Sequence, residues 1–433
     1  MAGEGLGRTL GDYFTLQRGT TYKSRLLGQP GPVLLGLATI QRNGGFRSDS
    51  LRTYGGDSPE KLLVHPGDIF VSLKDVTQSA DLLGAVARLP RDHLPGRLTQ
   101  DTVKLEPTRA DVPLDYLYWV LRTPQYRNYC RAHATGTTNL GLSRDDFLAF
   151  PAREPSPSQQ RLVNVLNGLE DKIELNGRTN ETLEALARAL FKSWFVDFDP
   201  VRTRVIRHQP SGMDAATAKL FPRYLDETPF GETPAGWRVG TLGDLVGLQN
   251  DRIAATSAKD SARYIALDDM PSRSLDVSRY RQGSSVTSSI VAFQKGDILF
   301  GSMRPYFHKV GLAFFDGITR TTTFVLRPRR PVNRYFALMH LFSDEVVAHC
   351  TAASVGTTIT YVRWAALETY PVVIPPDSLL ARFGEILTPV LERIGQLGEE
   401  NSNLEALRNA LLPRLLSGEF SIQGAERAIE ATA

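Results

Sequence analysis

The segment 155-PSPSQQRLVNVLNGLEDKIELNGRTNETLEALARALFKSWFVDFDP-200 decides the architecture of this chain. Mostly apolar residues recur at positions 162, 166, 169, 173, 176, 180, 183, 187, 190 and 194, in alternating steps of four and three. A period of 3.5 keeps one stripe turned toward a partner helix along the whole length, which is the coiled-coil pattern. Ser156-Pro157-Ser158-Gln159 supplies an N-cap serine, a proline at the first helical position and a glutamine at the third. A helix from there to Phe195 would run about 57 Å, too long for the interior of one ordinary domain.

The partner stripe lies in the same chain. Adding 221 to each position gives Phe383, Leu387, Val390, Ile394, Leu397, Asn401, Leu404, Arg408, Leu411 and Leu415 without a gap. Leu183-Glu184-Ala185-Leu186 recurs as Leu404-Glu405-Ala406-Leu407, and Asn180 recurs as Asn401. The seam is therefore expected to contain Leu166, Leu169, Ile173, Asn180 and Leu183 from one helix, and Leu387, Val390, Ile394, Asn401 and Leu404 from the other. An asparagine in an apolar seam fixes register at a cost in stability. Pro389 falls inside the second helix and is expected to kink or interrupt it, because it removes one backbone hydrogen bond.

The repeat extends beyond the helices. Leu10-Gly11-Asp12 answers Leu242-Gly243-Asp244, and Pro66-Gly67-Asp68-Ile69-Phe70 answers Lys295-Gly296-Asp297-Ile298-Leu299. Gly136-Thr137-Thr138 likewise matches Gly356-Thr357-Thr358. The order is globule, long helix, globule, long helix. Short β-rich runs broken by Gly, Pro and charged turns, without βαβ alternation, predict twisted, mainly antiparallel sheets with short helices. The expected fold class is α+β with an internal pseudo-two-fold repeat, its two long helices pairing as an antiparallel coiled coil. The expected boundaries are 1–155 for the first globule, 156–200 for its helix and 201–235 for a linker. The second globule follows at 236–375, its helix at 376–420 and a tail at 421–433.

Composition narrows the function. With 42% hydrophobic and 22% charged residues in 433, the chain is ordinary globular protein. It has no run of 18 apolar residues and only two cysteines, so a cytoplasmic location is expected. The globules carry net positive charge and the helical stretches net negative charge, which suggests that the globules meet a polyanion. No phosphate-binding G-x-x-x-x-G-K-[ST] loop, G-x-S-x-G elbow, H-x-x-x-H pair or methyltransferase Asn/Asp-Pro-Pro-aromatic tetrapeptide is present. The expectation is a non-catalytic chain without metal or cofactor of its own.

Leu190-Phe191-Lys192-Ser193-Trp194-Phe195-Val196-Asp197-Phe198-Asp199-Pro200, with Gln209-Pro210-Ser211-Gly212-Met213, Gly236-Trp237 and Leu415-Leu416-Ser417-Gly418-Glu419, resembles the specificity subunit of type I restriction–modification enzymes. Glu154-Pro155-Ser156-Pro157-Ser158-Gln159 keeps the prolines and glutamine with which that family opens a spacer. The resemblance covers almost the whole chain. It implies two target-recognition domains reading an asymmetric, bipartite site in double-stranded DNA, and spacer helices docking two methyltransferase subunits. Motor-nuclease restriction subunits would join these, with S-adenosylmethionine, ATP and magnesium on the partners. The residues alone also allow a coiled-coil adaptor with protein-binding globules, or a specificity module of a differently organised restriction enzyme.

Candidate contacts to DNA are polar and basic residues on the loops after the Gly-Asp strands: Lys74 and Gln78, and Arg304, Tyr306, His308 and Lys309. Tyr22, Lys23, Arg25, Arg42, Arg252 and Arg263 form a second group. Thr137 and Thr357, in the Gly-Thr-Thr turns, offer hydroxyl and backbone donors to phosphate.

Overall fold

In each half a Gly-Asp turn starts the central strand. Gly67 and Gly296 take φ values of 92° and 91°, a left-handed conformation that suits glycine. The aspartate that follows closes the turn: His65 N donates to Asp68 Oδ2 at 2.8 Å, and Gln294 N to Asp297 Oδ2 at 2.8 Å. Each aspartate also meets a cation on the neighbouring strand, Lys104 at 2.7 Å and Arg327 at 2.8 Å. The chain then enters Ile69–Ser72 or Ile298–Gly301, both buried along nearly their whole length.

The computed structural model describes residues 7–48, 51–77, 79–137, 139–205, 213–229, 231–250, 252–253, 262–283 and 289–417. Gln78, the Gln209-Pro210-Ser211-Gly212 segment and the tail 421–433 lie outside them. The chain divides into two units, residues 1–172 with 403–433 and residues 173–402, so each long helix contributes to both.

Unit 1 holds a four-stranded antiparallel sheet in the order Phe14–Arg18, Thr102–Pro107, Ile69–Ser72, Val86–Arg88. Unit 2 repeats that order with Val246–Gln249, Thr323–Pro328, Ile298–Gly301 and Val310–Leu312. A second sheet accompanies each, three-stranded in unit 1 and five-stranded in unit 2, and each contains one parallel pair: Val33–Leu35 with Gly96–Leu98, and Arg263–Ile265 with Gly317–Arg320. The Leu-Gly-Asp turns match as well: Thr9 N donates to Asp12 Oδ2 at 2.7 Å and Thr241 N to Asp244 Oδ2 at 3.0 Å.

The long helices run from Pro157–Phe195 and Asp377–Leu411. The first opens on a reciprocal cap, in which Ser156 N donates to Gln159 Oε1 at 2.8 Å and Gln159 N to Ser156 Oγ at 3.3 Å. They pair antiparallel. In unit 1 Gln159 Nε2 donates to the Leu415 carbonyl at 2.8 Å, and Leu162 and Leu166 share a core with Leu411 and Leu415. In unit 2 Asn180 Nδ2 donates to the Ile394 carbonyl at 3.3 Å, Asn401 Nδ2 to the Ile173 carbonyl at 3.4 Å, and Phe195 packs on Phe383. The two asparagines therefore bond not to each other but each to the opposite main chain. Asn176, buried beside them, donates to Asn401 Oδ1 at 3.0 Å. Leu387 and Ile394 are buried, whereas Leu169, Leu183, Val390 and Leu404 are half-buried.

Pro389 does not interrupt the second helix, which is continuous from Asp377 to Leu411. Pro389 and Glu385, whose carbonyl loses its helical donor, are both exposed residues, and Leu387 and Leu391 on either side are held in the core.

The globules meet the helices differently. In unit 1, Trp119 Nε1 donates to Asn167 Oδ1 at 2.7 Å, and buried Arg122 binds Glu170 and Tyr118 Oη. In unit 2 the contact is aromatic: Phe191, Trp194 and Phe195 pack on Phe336 and Phe383. His340 stands between Phe191 and Phe336, and burial pushes its pKa down to about 3.

Unit 2 also holds a buried carboxyl. Glu184, on the first helix, accepts from Ser274 Oγ at 2.6 Å and Leu275 N at 2.8 Å. Burial, with Asp276 nearby, raises its pKa from 4.5 to about 7. Between these values the unfolded chain releases a proton that the folded chain keeps, so stability falls as pH rises, and the penalty is complete above about 7. Glu184→Gln is neutral throughout and keeps both acceptor contacts. Relative to that variant, wild-type denaturant stability is expected to drop by on the order of 3 kcal/mol between acid pH and pH 8. Equal pH profiles for the two proteins in urea titrations would contradict the assignment.

Candidate nucleic-acid interface

After the central strand of unit 1, Lys74–Asp75 pairs with Leu140–Gly141 in the register Lys74↔Gly141, Asp75↔Leu140. The loop beyond is wound around two buried charged residues. Asp75 accepts from Thr77 N at 2.6 Å, Leu82 N at 2.6 Å and Leu83 N at 3.1 Å. Arg127, from the helix Pro124–Ala132, donates to the carbonyls of Leu83, Ala80 and Asp81 at 2.6, 3.0 and 2.9 Å. Lys74 projects from this frame, exposed, with Nζ 3.1 Å from Asp101. The opposing turn depends on Gly136, where a Cβ would stand 2.4 Å from the Asn139 carbonyl. It leaves Thr137 exposed on the same rim as Lys74. An open cleft of about 260 Å³ lies between the two loops, lined by Lys74, Val76, Asp101 and Asn139 among others.

Unit 2 repeats this frame with other side chains. Met303 and Val355 bridge to Tyr361, and Arg304 N donates to the Thr360 carbonyl at 2.8 Å. Gly356 is required as Gly136 is, since a Cβ would stand 2.6 Å from the Ile359 carbonyl. Thr357 is exposed on this turn. Arg304 and His308 both adopt left-handed φ, 48° and 51°, on either side of the 3₁₀ turn Pro305–Phe307. Tyr306 is exposed and its ring lies 4.8 Å from that of Phe307.

His308 faces inward. It is buried, its Nε2 donates to the Phe342 carbonyl at 2.8 Å, and burial lowers its pKa, so it anchors the turn instead of projecting from it. Lys309 is half-buried with Nζ on the Leu267 carbonyl at 2.7 Å. The Arg263 guanidinium lies over both rings of the edge-on pair Tyr280 and Phe315, 5.0 and 4.7 Å from their centroids.

The second group in unit 1 is exposed: Tyr22, Lys23, Arg25 and Arg42 all reach solvent. Tyr22 and Lys23 are held by a buried platform, in which Tyr22 meets Tyr54 edge-on and Lys23 N donates to Tyr54 Oη at 3.2 Å. Buried Arg97 lies over the Tyr54 ring and donates to Thr20 Oγ1 and the Thr21 carbonyl. In unit 2, Arg252 lies in a short strand paired with Val291. Sequence reasoning missed Asp75, Arg97 and Arg127, because an isolated charge gives no sign of whether it turns inward toward main-chain groups. Among the described residues no cluster of His, Cys, Asp or Glu could hold a metal ion. A larger cleft, about 550 Å³, opens in unit 2 beside Trp194, Asp214, Arg382 and Val390, and its lining includes none of the expected contact residues.

Asp75→Ala removes three acceptor contacts from buried N–H groups, and a loss of about 3 kcal/mol in thermal or denaturant stability is expected. Hydrogen exchange should quicken at Leu82 and Leu83 while the strands of unit 2 keep their protection. Unchanged exchange at those two amides would show that Asp75 does not hold the loop.

No protein-family model matches the chain. The specificity subunit of the type I restriction enzyme MjaIX of Methanocaldococcus jannaschii is 24% identical over 324 residues, covering 71% of this chain and 69% of that protein. The HindI specificity subunit of Haemophilus influenzae is 25% identical over 365 residues, covering 73% and 79%. Among solved structures, a type I restriction–modification S subunit from M. genitalium superposes with a TM-score of 0.50 at 14% identity, covering 96% of this chain and 97% of that one. In sequence and in fold, then, the chain is similar to the specificity subunits of type I restriction–modification systems.

Proposed function

We propose that this chain is the sequence-specific DNA-recognition subunit of a type I restriction–modification complex. It reads an asymmetric, bipartite site in the major groove and docks the methyltransferase subunits, while the chemistry belongs to its partners. The observation that carries this reading is the repeated frame. The same paired loops rim both domains, yet one presents Lys74 and Val76 where the other presents Met303, Arg304 and Tyr306. One backbone with two sets of side chains suits two half-sites of different sequence, unlike the palindromes read by identical dimers.

The remaining assignments extend this reading. Residues 1–155 and 236–375 are separable recognition cassettes, and the helices between them set the gap between half-sites. The first helix leaves Leu175 and Leu186 exposed about three turns apart on one face, which supports docking of a partner subunit there. S-adenosylmethionine, ATP and magnesium act on the methyltransferase and restriction subunits.

A chimera carrying a foreign recognition domain in place of residues 1–155, co-expressed with the cognate methyltransferase, is expected to methylate a hybrid site with one half changed and one retained. Methylome sequencing reads both halves at once. Retention of the purified chain on DNA should weaken steeply with salt, because phosphate contacts release counterions. A coiled-coil adaptor would give neither the hybrid site nor the salt slope, and a change in both halves together would contradict the cassette reading.

A further inference from the structure

The rim of the second domain is apolar and aromatic in a way that the equivalent rim of the first is not. Tyr306 is 52% exposed, Phe307 44%, Ile359 49% and Tyr361 41%, all on two loops tied by the Arg304–Thr360 main-chain bond. Soluble domains seldom leave such a group together without a partner for it. Arg304, on the same turn, is exposed, and its side chain has no hydrogen-bond or ionic partner among the described residues.

The backbone beneath is held in one shape. Left-handed φ at Arg304 and His308 brackets a single 3₁₀ turn, an arrangement that costs free energy at non-glycine residues and persists only where surrounding contacts impose it. Those contacts are present: His308 is anchored on the Phe342 carbonyl, and its own carbonyl accepts from Arg273 N at 2.8 Å. Arg304 and Tyr306 therefore project from a pre-organised turn, which lowers the entropy lost when they engage a ligand.

The pairing registers put the two domains on one footing. Asp75 faces Leu140 as Arg304 faces Thr360. In the first domain that residue is an acid turned inward to hold the loop; in the second it is a guanidinium turned outward. The first domain exposes a single apolar side chain nearby, Val76.

Building on the proposed function, we infer that Arg304, Tyr306 and Phe307 are specificity-determining residues of the second half-site. Arg304 reads a guanine through paired N–H donation to O6 and N7, and the Tyr306–Phe307 pair takes the methyl group of a thymine. The chemistry selects these edges: an unpartnered guanidinium matches the two acceptors of guanine, and thymine alone offers an apolar group in the major groove. A protein-binding patch of the same composition is the alternative that the experiment must separate.

The test uses the full chain assembled with its methyltransferase subunit. Arg304→Asn keeps a residue that tolerates left-handed φ but cannot reach the base, so the turn is preserved. One position of one half-site is expected to lose discrimination by about 5- to 150-fold, with the other half-site unchanged. Replacing thymines one at a time by deoxyuridine removes only the methyl group. At one position this should weaken wild-type binding about fourfold, and the loss should vanish in Tyr306→Ala or Phe307→Ala. Full discrimination by Arg304→Asn, or a uracil penalty that survives both aromatic variants, overturns the inference and leaves the proposed function standing. Failure of these variants to join the methyltransferase, with DNA discrimination intact, also overturns it by marking the patch as a protein interface. A wild-type assembly without sequence preference would overturn the proposed function itself.

Discussion

The crossed bonds of Asn180 and Asn401 fix what the rest of the structure is built on. A leucine-rich antiparallel seam can slip by a helical turn and lose little apolar contact. A buried amide cannot, because its donors find partners in one register only. Asn180 reaches the Ile394 carbonyl and Asn401 reaches the Ile173 carbonyl, a reciprocal pair that follows the sequence repeat. The arrangement favours uniqueness over stability: the Asn180 side-chain oxygen is buried with no hydrogen-bond partner among the described residues, which costs free energy a leucine would not. Other contacts depend on that register. Glu184, one turn beyond Asn180, caps the loop at Ser274 and Leu275, and Asp276 of that loop lies beside Asn180.

A second constraint is shared by the two domains but met with different residues. Each needs a rigid rim after its central strand, and each uses a buried polar side chain bonded to main-chain groups to hold it. In unit 1 these are Asp75 and Arg127; in unit 2 it is His308. Burying such groups is tolerable because their hydrogen bonds are largely satisfied. The result is that the projecting side chains can differ while the rim keeps its shape. Gly136 and Gly356 make the same point at the backbone level, since any larger residue would collide with the carbonyl three positions on.

The fold was legible because its signals are periodic or repeated. The seam, the duplicated Gly-Asp turns and the matching Gly-Thr-Thr turns each appear twice in the sequence and twice in the structure. Pro389 does not interrupt the helix as expected, because the penalty of proline applies to the isolated helix, whereas here Leu387 and Leu391 on either side are held in the core. The positions of the candidate loops were legible in the sequence, but the orientation of their side chains was not. His308 and Arg304 share a turn and a left-handed backbone, yet one is buried and the other exposed. Such orientation follows from tertiary partners, here the Phe342 carbonyl, that no local pattern announces.

Divergence of the repeat also reaches the contacts between globule and helix, and this bears on how far the domains are interchangeable. In unit 1, Arg122 is buried and neutralised by Glu170 of the first helix, with Tyr118 completing the network. In unit 2 the position 221 residues on from Glu170 is the buried Leu391, and the globule meets the helices through an aromatic cluster of Phe191, Phe195, Phe336 and Phe383 with an uncharged histidine inside it. A buried charge removed from its partner is strongly destabilising, whereas apolar surfaces accept one another with less discrimination. A first-type domain seated on the second helix contact would carry Arg122 into an apolar surround with no carboxylate to meet it. Interchange is therefore compatible within a seat and costly between seats. The two domains therefore differ as much in these seats as in the loops that face outward.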